Sequence, residues 1–433
     1  MAVEIVGFCG ILLMFLLMGL GIPITLSIFV PGILGILYLK GWETLSTSLE
    51  SIVWQNMFNY ELTTIPMFVL MGELLFISGI SGELFESFRK WFGSVKGGLG
   101  LATIGASAIF AASSGSSVAS TSTMGMIAYK EMKSKGYNDL ISTGSIVAGG
   151  TLGILIPPST AFIIYGMMSE QSIGKLLIAG ILPGIILTVL YMITVYIIVS
   201  LKPNFGPTTE KSSIKEKVYS LRTTLWILLL FVIVIGGMYL GYFTPTQAAG
   251  IGAFGSFAIA LIRGKINLSV LNSSLARTIR TTGFLFAIII SAFVFNYFLA
   301  ITKVPIILAD MLAHTSLPPL GVLLLIIVLF ILLGAIMDAM AMIVITIPVI
   351  LPTISALGFD LIWFGVIIVI LIELALITPP IGLNIFVLKG VVPELKLGSL
   401  YKGALLFVIP IFFMLALIIL FPEIALILPQ KMF

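Results

Sequence analysis

The sequence predicts an all-α integral membrane protein built from an inverted repeat with two re-entrant helical hairpins. Three observations carry this. Of 433 residues, 59% are hydrophobic and 9% charged, against roughly 25% charged in a soluble domain. Runs such as residues 225–236 and 320–333 are apolar on every face, whereas a barrel strand alternates apolar and polar positions. Finally, one offset of 222 residues lays Gly136 on Gly358, Tyr137 on Phe359, Leu152 on Leu374 and Pro157-Pro158 on Pro379-Pro380. The same offset lays Ser116 on Asp338 and Thr151 on Glu373. Internal symmetry between Gly/Pro-interrupted apolar segments is the best sequence pointer to a carrier's binding site. At about 20 residues per span, the chain has room for on the order of 11 to 14 membrane segments.

The totals also exclude. A net charge of +4 spread over connectors concerns membrane orientation and gives no footing for nucleic acid. A single cysteine, Cys9, precludes an internal disulfide or a cysteine metal cluster, and the single histidine, His314, precludes a His-rich metal site. Residues 1–20 carry Glu4 and no basic flank, unlike a signal peptide, and are expected to stay as a span.

In chain order, the apolar stretch 5–39 is interrupted at Gly21-Ile22-Pro23 and at Pro31-Gly32, which fits two spans or one span plus a re-entrant bend. After a connector at 40–59, a helix begins near Pro66 and carries Glu73, read as a structural group. Residues 97–123 then gather Ser107, Ser113, Ser114, Ser116, Ser117, Ser120, Thr121, Ser122 and Thr123. Small hydroxyl residues suit a tight helix–helix seam. They also suit a hairpin of half-helices whose tip, at Ser113 to Ser117, stops inside the membrane under cover of protein. The next helix is expected to break at Gly149-Gly150-Thr151 and again at Pro157-Pro158, since proline removes a donor. A span over 176–201 and a polar connector at 202–222 with Lys211, Lys215 and Lys217 close the first repeat. The lysines place that connector in the cytoplasm.

The second repeat, 223–433, opens with spans at 225–242 and 247–262. Arg263, Lys265, Arg277 and Arg280 lie on a connecting or amphipathic segment, followed by a span at 282–301 and a hairpin at about 319–355 that contains Asp338. A broken helix ending at Pro379-Pro380 and a last span after Lys402 complete it. The first repeat is thus 1–201 with its hairpin at about 97–123, and 202–222 is the connector.

Opposite insertion of the two repeats predicts that matched loops differ in Lys and Arg. Residues 130–139 hold three lysines and 352–360 none; residues 89–96 hold three basic groups, and 311–318 only His314. Conversely, 166–175 hold one lysine, whereas 388–402 hold Lys389, Lys396 and Lys402. All three comparisons alternate.

In such a carrier, half-helix ends and unwound carbonyls face ions and anionic solutes. Sodium prefers oxygen donors. One oxygen-rich set is Ser113, Ser116 and Ser117 with Gly149, Gly153 and Ile156; the other is Gly334, Asp338, Glu373 and Thr378. A carboxylate within a span costs about 2.5–3.5 kcal/mol on insertion scales and needs a partner. Asp338 is therefore either a cation ligand or a protonated group bonded between helices, and Glu373 either a ligand or a brace for the hairpin. Gly115, Ser159, Thr160 and Asn384 are the solute-facing candidates, the last three also able to cap restarted helices. A serine nucleophile at Gly115-Ser116-Ser117 would need a base, and His314 lies in a connector. No enzyme is predicted.

The stretches 111–117 (AASSGSS), 149–159 (GGTLGILIPPS) and 377–384 (ITPPIGLN) resemble the large membrane subunit of tripartite ATP-independent periplasmic (TRAP) transporters, over essentially the whole chain. The resemblance implies an elevator-type fold like that of the ion transporter superfamily and its divalent anion:sodium symporters. It implies Na+ as coupling ion with no other cofactor, a small four-helix membrane subunit as a separate chain, and a periplasmic binding protein that delivers an organic acid of sialic acid or C4-dicarboxylate type across the bacterial inner membrane. The spans at 176–201 and 225–242 are then expected in the fixed scaffold. The alternative is a standalone sodium-coupled carboxylate symporter of the same architecture.

Overall fold

Glycine and proline punctuation cuts the apolar chain into helices whose ends recur at a fixed spacing. The computed structural model describes residues 2–209, 211–313 and 317–432, and no strand occurs among them; His314 lies outside the described residues. Ten helices precede the connector: α1 (Val3–Gly19), α2 (Ile24–Met57), α3 (Thr64–Ile77), α4 (Ile80–Phe92), α5 (Gly98–Ser114), α6 (Ser117–Ser134), α7 (Asp139–Leu155), α8 (Thr160–Ser169), α9 (Ile173–Ala179) and α10 (Ile181–Leu201). After it come α11 (Ile214–Tyr239), α12 (Pro245–Ile262), α13 (Leu268–Thr302), α14 (Val304–Ala313), α15 (Pro319–Gly334), α16 (Ala339–Ala356), α17 (Leu361–Ile377), α18 (Leu383–Val391), α19 (Leu397–Leu405), α20 (Val408–Leu420) and α21 (Glu423–Gln430).

Shifting by 222 residues lays α6 on α16 and α7 on α17 with identical bounds. The local chemistry repeats too. Ser116 and Asp338 are the N-caps of α6 and α16, and Asn138 and Asp360 those of α7 and α17. Side-chain oxygens there accept first-turn N–H groups that the helix cannot satisfy itself. Between the paired helices, Gly136 (φ 75°) and Gly358 (φ 77°) take the left-handed conformation. Tyr137 and Phe359 then donate back to the carbonyls of Met132 and Ile354, the bond pattern that ends a helix at a left-handed glycine.

Eight helices among the described residues are long and apolar enough to cross a membrane, and a ninth span forms if the bent Ile214–Arg222 and Thr224–Tyr239 pair counts as one. Val3–Gly19, Gly98–Ser114, Pro319–Gly334 and Leu361–Ile377 are apolar but shorter. At 1.5 Å per residue, the 17 residues of α5 reach about 25 Å, short of a hydrocarbon core of about 30 Å. Two antiparallel pairs, α5–α6 and α15–α16, thus form the hairpins, and the second arm of the first runs on to Ser134.

α7 and α17 are buried along almost their whole lengths and pack on each other. The hairpins and α8, α9, α10, α18, α19 and α20 surround them. A second packing set joins α1, α2, α3, α11, α12 and α13, with α4 lying between α5 and α11.

Several sequence expectations are corrected. α7 runs unbroken through Gly149-Gly150-Thr151, because these glycines serve close packing: an added Cβ would lie 2.7 Å from Ser107 Oγ at Gly149 and 3.0 Å from Thr121 Cβ at Gly150. Its only interruption is at residues 156–159. In the N-terminal stretch, the break at Leu20 to Pro23 ends α1, whereas Pro31-Gly32 lies inside α2, where Gly32 lets the Phe295 backbone approach. Residues 40–59 are mostly helix, since α2 continues past a kink at Gly41 to Met57. Residues 282–301 are the latter part of the 35-residue α13, which also carries Arg277 and Arg280.

The span at 176–201 packs with the hairpin set, α10 resting on α5, α7 and α20, because Val195 fills the space left by Gly97 and Gly100. The connector is helical from Ile214, and its first part is strapped down. Gly97 donates to the Gly206 carbonyl (3.3 Å), Asn138 to Phe205 (3.0 Å) and Thr209 to Gly93 (2.8 Å).

Candidate functional site

The chain turns at the tip of hairpin 1 through Gly115 (φ 58°) and extended Ser116, whose Oγ accepts from the Ala119 N–H at 3.3 Å. This tip is pressed against the joint of the broken helix α7–α8. A Cβ on Gly115 would come within 2.6 Å of the Pro158 carbonyl oxygen, and one on Gly153 within 2.7 Å of that of Ser116. The Thr160 hydroxyl donates to the Gly115 carbonyl (3.3 Å). The N-terminus of α6 and the C-terminus of α7 therefore meet, placing opposite ends of two helix dipoles side by side. To one side, a space of about 10 Å³ lies between Ser113 and Pro158 and the facing Met71, Ile227, Leu230 and Phe231 of α3 and α11.

Of the residues expected here, Ser117 is buried as the first residue of α6 and Ile156 caps α7 in extended conformation. Ser113 is buried and donates to its own helix at the Phe110 carbonyl (2.6 Å). Gly149 faces Ser107, a turn away from the tip. Ser159 is fully buried, donates to the Ile154 carbonyl and caps α8 by accepting from Phe162 (3.4 Å).

The tip of hairpin 2 is built differently. Asp338 Oδ1 accepts both the Met340 (2.7 Å) and Ala341 (3.0 Å) N–H groups, which leaves Oδ2 for a ligand. Gly334 packs on Ala375, where a Cβ would come within 2.4 Å of the alanine methyl. Beyond this contact the hairpin stands off the α17–α18 joint, and a cavity of about 230 Å³ opens between them, with Asp338, Met342, Leu376 and Leu383 in its wall. Thr378 caps α17 in extended conformation, half-buried at the joint. The two joints share cis peptides at Pro157-Pro158 and Pro379-Pro380, but the first proline pair is buried and the second exposed.

Two candidates lie apart from this cavity. Glu373 is fully buried on α17 but outside the cavity wall, which Ile372, Ala375 and Leu376 supply. Neither of its oxygens has a hydrogen-bond partner among the described residues. On α10, the Tyr191 hydroxyl lies 3.2 Å from Thr151 Oγ1 of α7. Asn384 is fully buried and donates to the Val147 carbonyl (3.4 Å), tying α18 to α7. Tyr191 carries no signal of its own in the sequence, because it sits in an uninterrupted apolar helix. Arg277, the partner of Glu73 at 2.7 Å, is 204 residues away from it; its only signal was a basic residue beside a span.

Two helical hairpins laid against two broken helices, inside a multi-pass helical protein, define a secondary-carrier fold. Residues 11–424 match the family described as "Tripartite ATP-independent periplasmic transporter, DctM component", and the chain belongs to that family. It is 35% identical over 414 residues to the C4-dicarboxylate TRAP transporter large permease protein DctM of Pseudomonas aeruginosa, covering 95% of this chain and 93% of that one. To the sialic acid TRAP transporter large permease protein SiaM of Vibrio cholerae it is 33% identical, covering 86% and 87%. To the 2,3-diketo-L-gulonate TRAP transporter large permease protein YiaN of Escherichia coli it is 32% identical, covering 90% and 94%. Among solved structures, the YdaH transporter of Alcanivorax borkumensis aligns with a TM-score of 0.64 at 16% identity, covering 91% and 89%. MtrF of Neisseria gonorrhoeae aligns with 0.60 at 13%, covering 88% and 85%. These two likenesses concern the fold alone.

Proposed function

We propose that the chain is the large permease subunit of a sodium-coupled carrier that imports an organic acid across a bacterial inner membrane, with a small membrane subunit and a periplasmic binding protein as partners. The observation that carries this reading is the matched pair of half-helix N-termini, capped by Ser116 and Asp338, each set against the break of a buried helix. Sodium travels as a co-substrate. At hairpin 1 its donors are Ser113, Ser116 and Ser117 with the backbone from Gly153 to Ile156; at hairpin 2 they are Asp338 and the backbone at Gly334 and Thr378. Membership of a family described as a tripartite transporter component supports the two partners.

The hairpin set around α7 and α17 moves as one body against the set formed by α1–α3 and α11–α13. Each set packs chiefly within itself and meets the other along α3, α11 and α13 against α5 and α16, an interface along which such a motion would run. The repeats, 1–201 and 223–433, are inserted in opposite senses, which the alternation of lysine-rich loops supports.

Sodium-dependent solute uptake into proteoliposomes, with the partner subunit and binding protein supplied, tests the reading. Asp338→Asn should raise the sodium concentration needed for half-maximal uptake by at least about tenfold, since it removes the one charged donor from the cavity. An unchanged sodium dependence would remove Asp338 from the mechanism.

A further inference from the structure

The matched joints of the two repeats are held by different means. At the first, the Ser159 hydroxyl donates to the Ile154 carbonyl and the Thr160 hydroxyl to the Gly115 carbonyl of the hairpin tip. The offset of 222 residues lays Ile381 and Gly382 on these two, so the second joint has neither hydroxyl. Pro379 and Pro380 have no N–H to donate, and Pro379, Pro380 and Ile381 are exposed. A turn built this way cannot supply partners for the carbonyls left at the end of α17.

A side chain from outside the turn does so. The Tyr401 hydroxyl shares its proton between the carbonyls of Pro380 (2.7 Å) and Ile381 (3.0 Å). Among the described residues, these are the only side-chain hydrogen bonds made to residues 378–382. The offset lays Ala179 on Tyr401, so the first repeat has no counterpart.

Tyr401 stands on α19, which packs along α7. The approach is close: a Cβ on Gly144 would lie 2.5 Å from the Gly403 carbonyl oxygen. Asn384, just past the joint, donates to the Val147 carbonyl of the same helix. The second joint is therefore fixed relative to α7 twice, through Tyr401 on α19 and directly through Asn384.

The place of the turn gives this tie its consequence. Ile381, Gly382 and Leu383 border the cavity beneath hairpin 2, as Asp338 does. Gly382 is left-handed (φ 60°), and a Cβ on it would lie 3.2 Å from the Thr378 carbonyl oxygen. Any shift of Pro380 or Ile381 is thus passed along the turn to Thr378, a donor in the sodium reading above. A carbonyl that an ion must first bring to order binds it less tightly than one already held in place.

We propose that Tyr401 is a positioning residue for the hairpin 2 cation site. It does not touch the ion; its hydroxyl holds the α17–α18 joint in the form whose remaining carbonyls can take one. This rests on the sodium-coupled carrier reading.

The test is thermal unfolding of the purified full chain in lipid nanodiscs over a range of sodium concentrations, with choline keeping the ionic strength constant. The proteins compared are the parent, Tyr401→Phe, Asp338→Asn and the double variant. Asp338→Asn defines the part of the sodium-induced rise in midpoint that belongs to hairpin 2. Tyr401→Phe should raise the sodium concentration giving half of that part about three- to tenfold, the effect of one lost hydrogen bond. Its midpoint in choline alone should stay within about 2 °C of the parent. In the double variant the sodium response should equal that of Asp338→Asn, because nothing is left for the tyrosine to position. An unchanged sodium dependence in Tyr401→Phe, whatever its midpoint in choline, or the same shift on the Asp338→Asn background, would make the tyrosine a structural tie and overturn the proposal while leaving the carrier reading intact. A parent that does not respond to sodium, or an Asp338→Asn variant that keeps the whole response, would remove the hairpin 2 site itself and the proposal with it.

Discussion

Gly153 and Ser116 touch backbone to backbone: a methyl group on the Cα of Gly153 would lie 2.7 Å from the Ser116 carbonyl oxygen and 3.0 Å from the Ser117 nitrogen. The neighbour is main chain at a helix start, so it has no rotamer into which to retreat. Gly153→Ala is expected to destabilise the protein by about 1–3 kcal/mol through overpacking and to push the hairpin 1 tip off the α7 joint. Gly283→Ala, in α13 with nothing within 4 Å, should be neutral or stabilise by up to about 1 kcal/mol. Thermal unfolding in detergent compares the two. A Gly153→Ala protein as stable as the parent would show that the tip is not held by this contact.

Glu73 and Arg277 join α3 to α13 through a bond of 2.7 Å between Oε2 and Nε. Both side chains are partly exposed, and a charge on a span that loses its partner is costly, so the pair should be worth at least about 1 kcal/mol. A double-mutant cycle with Glu73→Gln and Arg277→Gln should return a coupling of that size in unfolding free energy. Sodium affinity should be unchanged in all three variants, because neither residue lines the cavity beneath hairpin 2.

The symmetry of the chain was legible because its punctuation is chemical. A left-handed turn needs Gly136 and Gly358, a cap needs Ser116 and Asp338, and prolines at 157–158 and 379–380 cannot continue a helix. What glycine does inside a helix was not legible. Gly149 and Gly150 read as a break, yet their lost side chains make room for Ser107 and Thr121, and only the neighbour, remote in sequence, reveals that. The same limit hid the difference between the two tips. Matched residues sit in a filled joint at Pro158 and an open one at Pro380, because the opposing surfaces differ while the motif does not.

Asp338 serves both as the cap of α16 and as the charged group of the cavity, and substitutions separate the two roles. Asn and Ser still accept the Met340 and Ala341 N–H groups, whereas Ala does not. Asp338→Asn and Asp338→Ser should therefore unfold close to the parent in the absence of sodium, and Asp338→Ala about 1 kcal/mol lower. All three should lose the part of the sodium-induced stabilisation that hairpin 2 contributes and keep the part due to hairpin 1, since binding to the native state raises stability by mass action. Retention of the full rise in Asp338→Asn would show that Asp338 holds no ion.

Tyr137 is the point where the strap between the halves, the α6–α7 turn and the base of hairpin 1 converge. Its hydroxyl accepts the Leu99 N–H at 3.0 Å, and a Cβ on Gly206 would lie 3.1 Å from its ring. Burial in this turn pushes the phenol up to about 12, above the ordinary value of about 10. The folded state thus favours the neutral ring. Its contribution is intact below pH 10, and it is lost as the pH rises toward 12, where the unfolded chain has already released the proton and the folded one has not. Two pKa units correspond to about 2–3 kcal/mol across that window. Tyr137→Phe has no such proton, so its stability should fall less between pH 9.5 and about 11.5 than that of the parent. At neutral pH the same variant should be less stable by about 1–3 kcal/mol, because the buried Leu99 N–H loses its acceptor. Denaturant unfolding of both proteins at two pH values measures both effects. Parallel declines with pH would show that another group sets the alkaline limit, and an equally stable variant at neutral pH would mean that the strap does not depend on this ring.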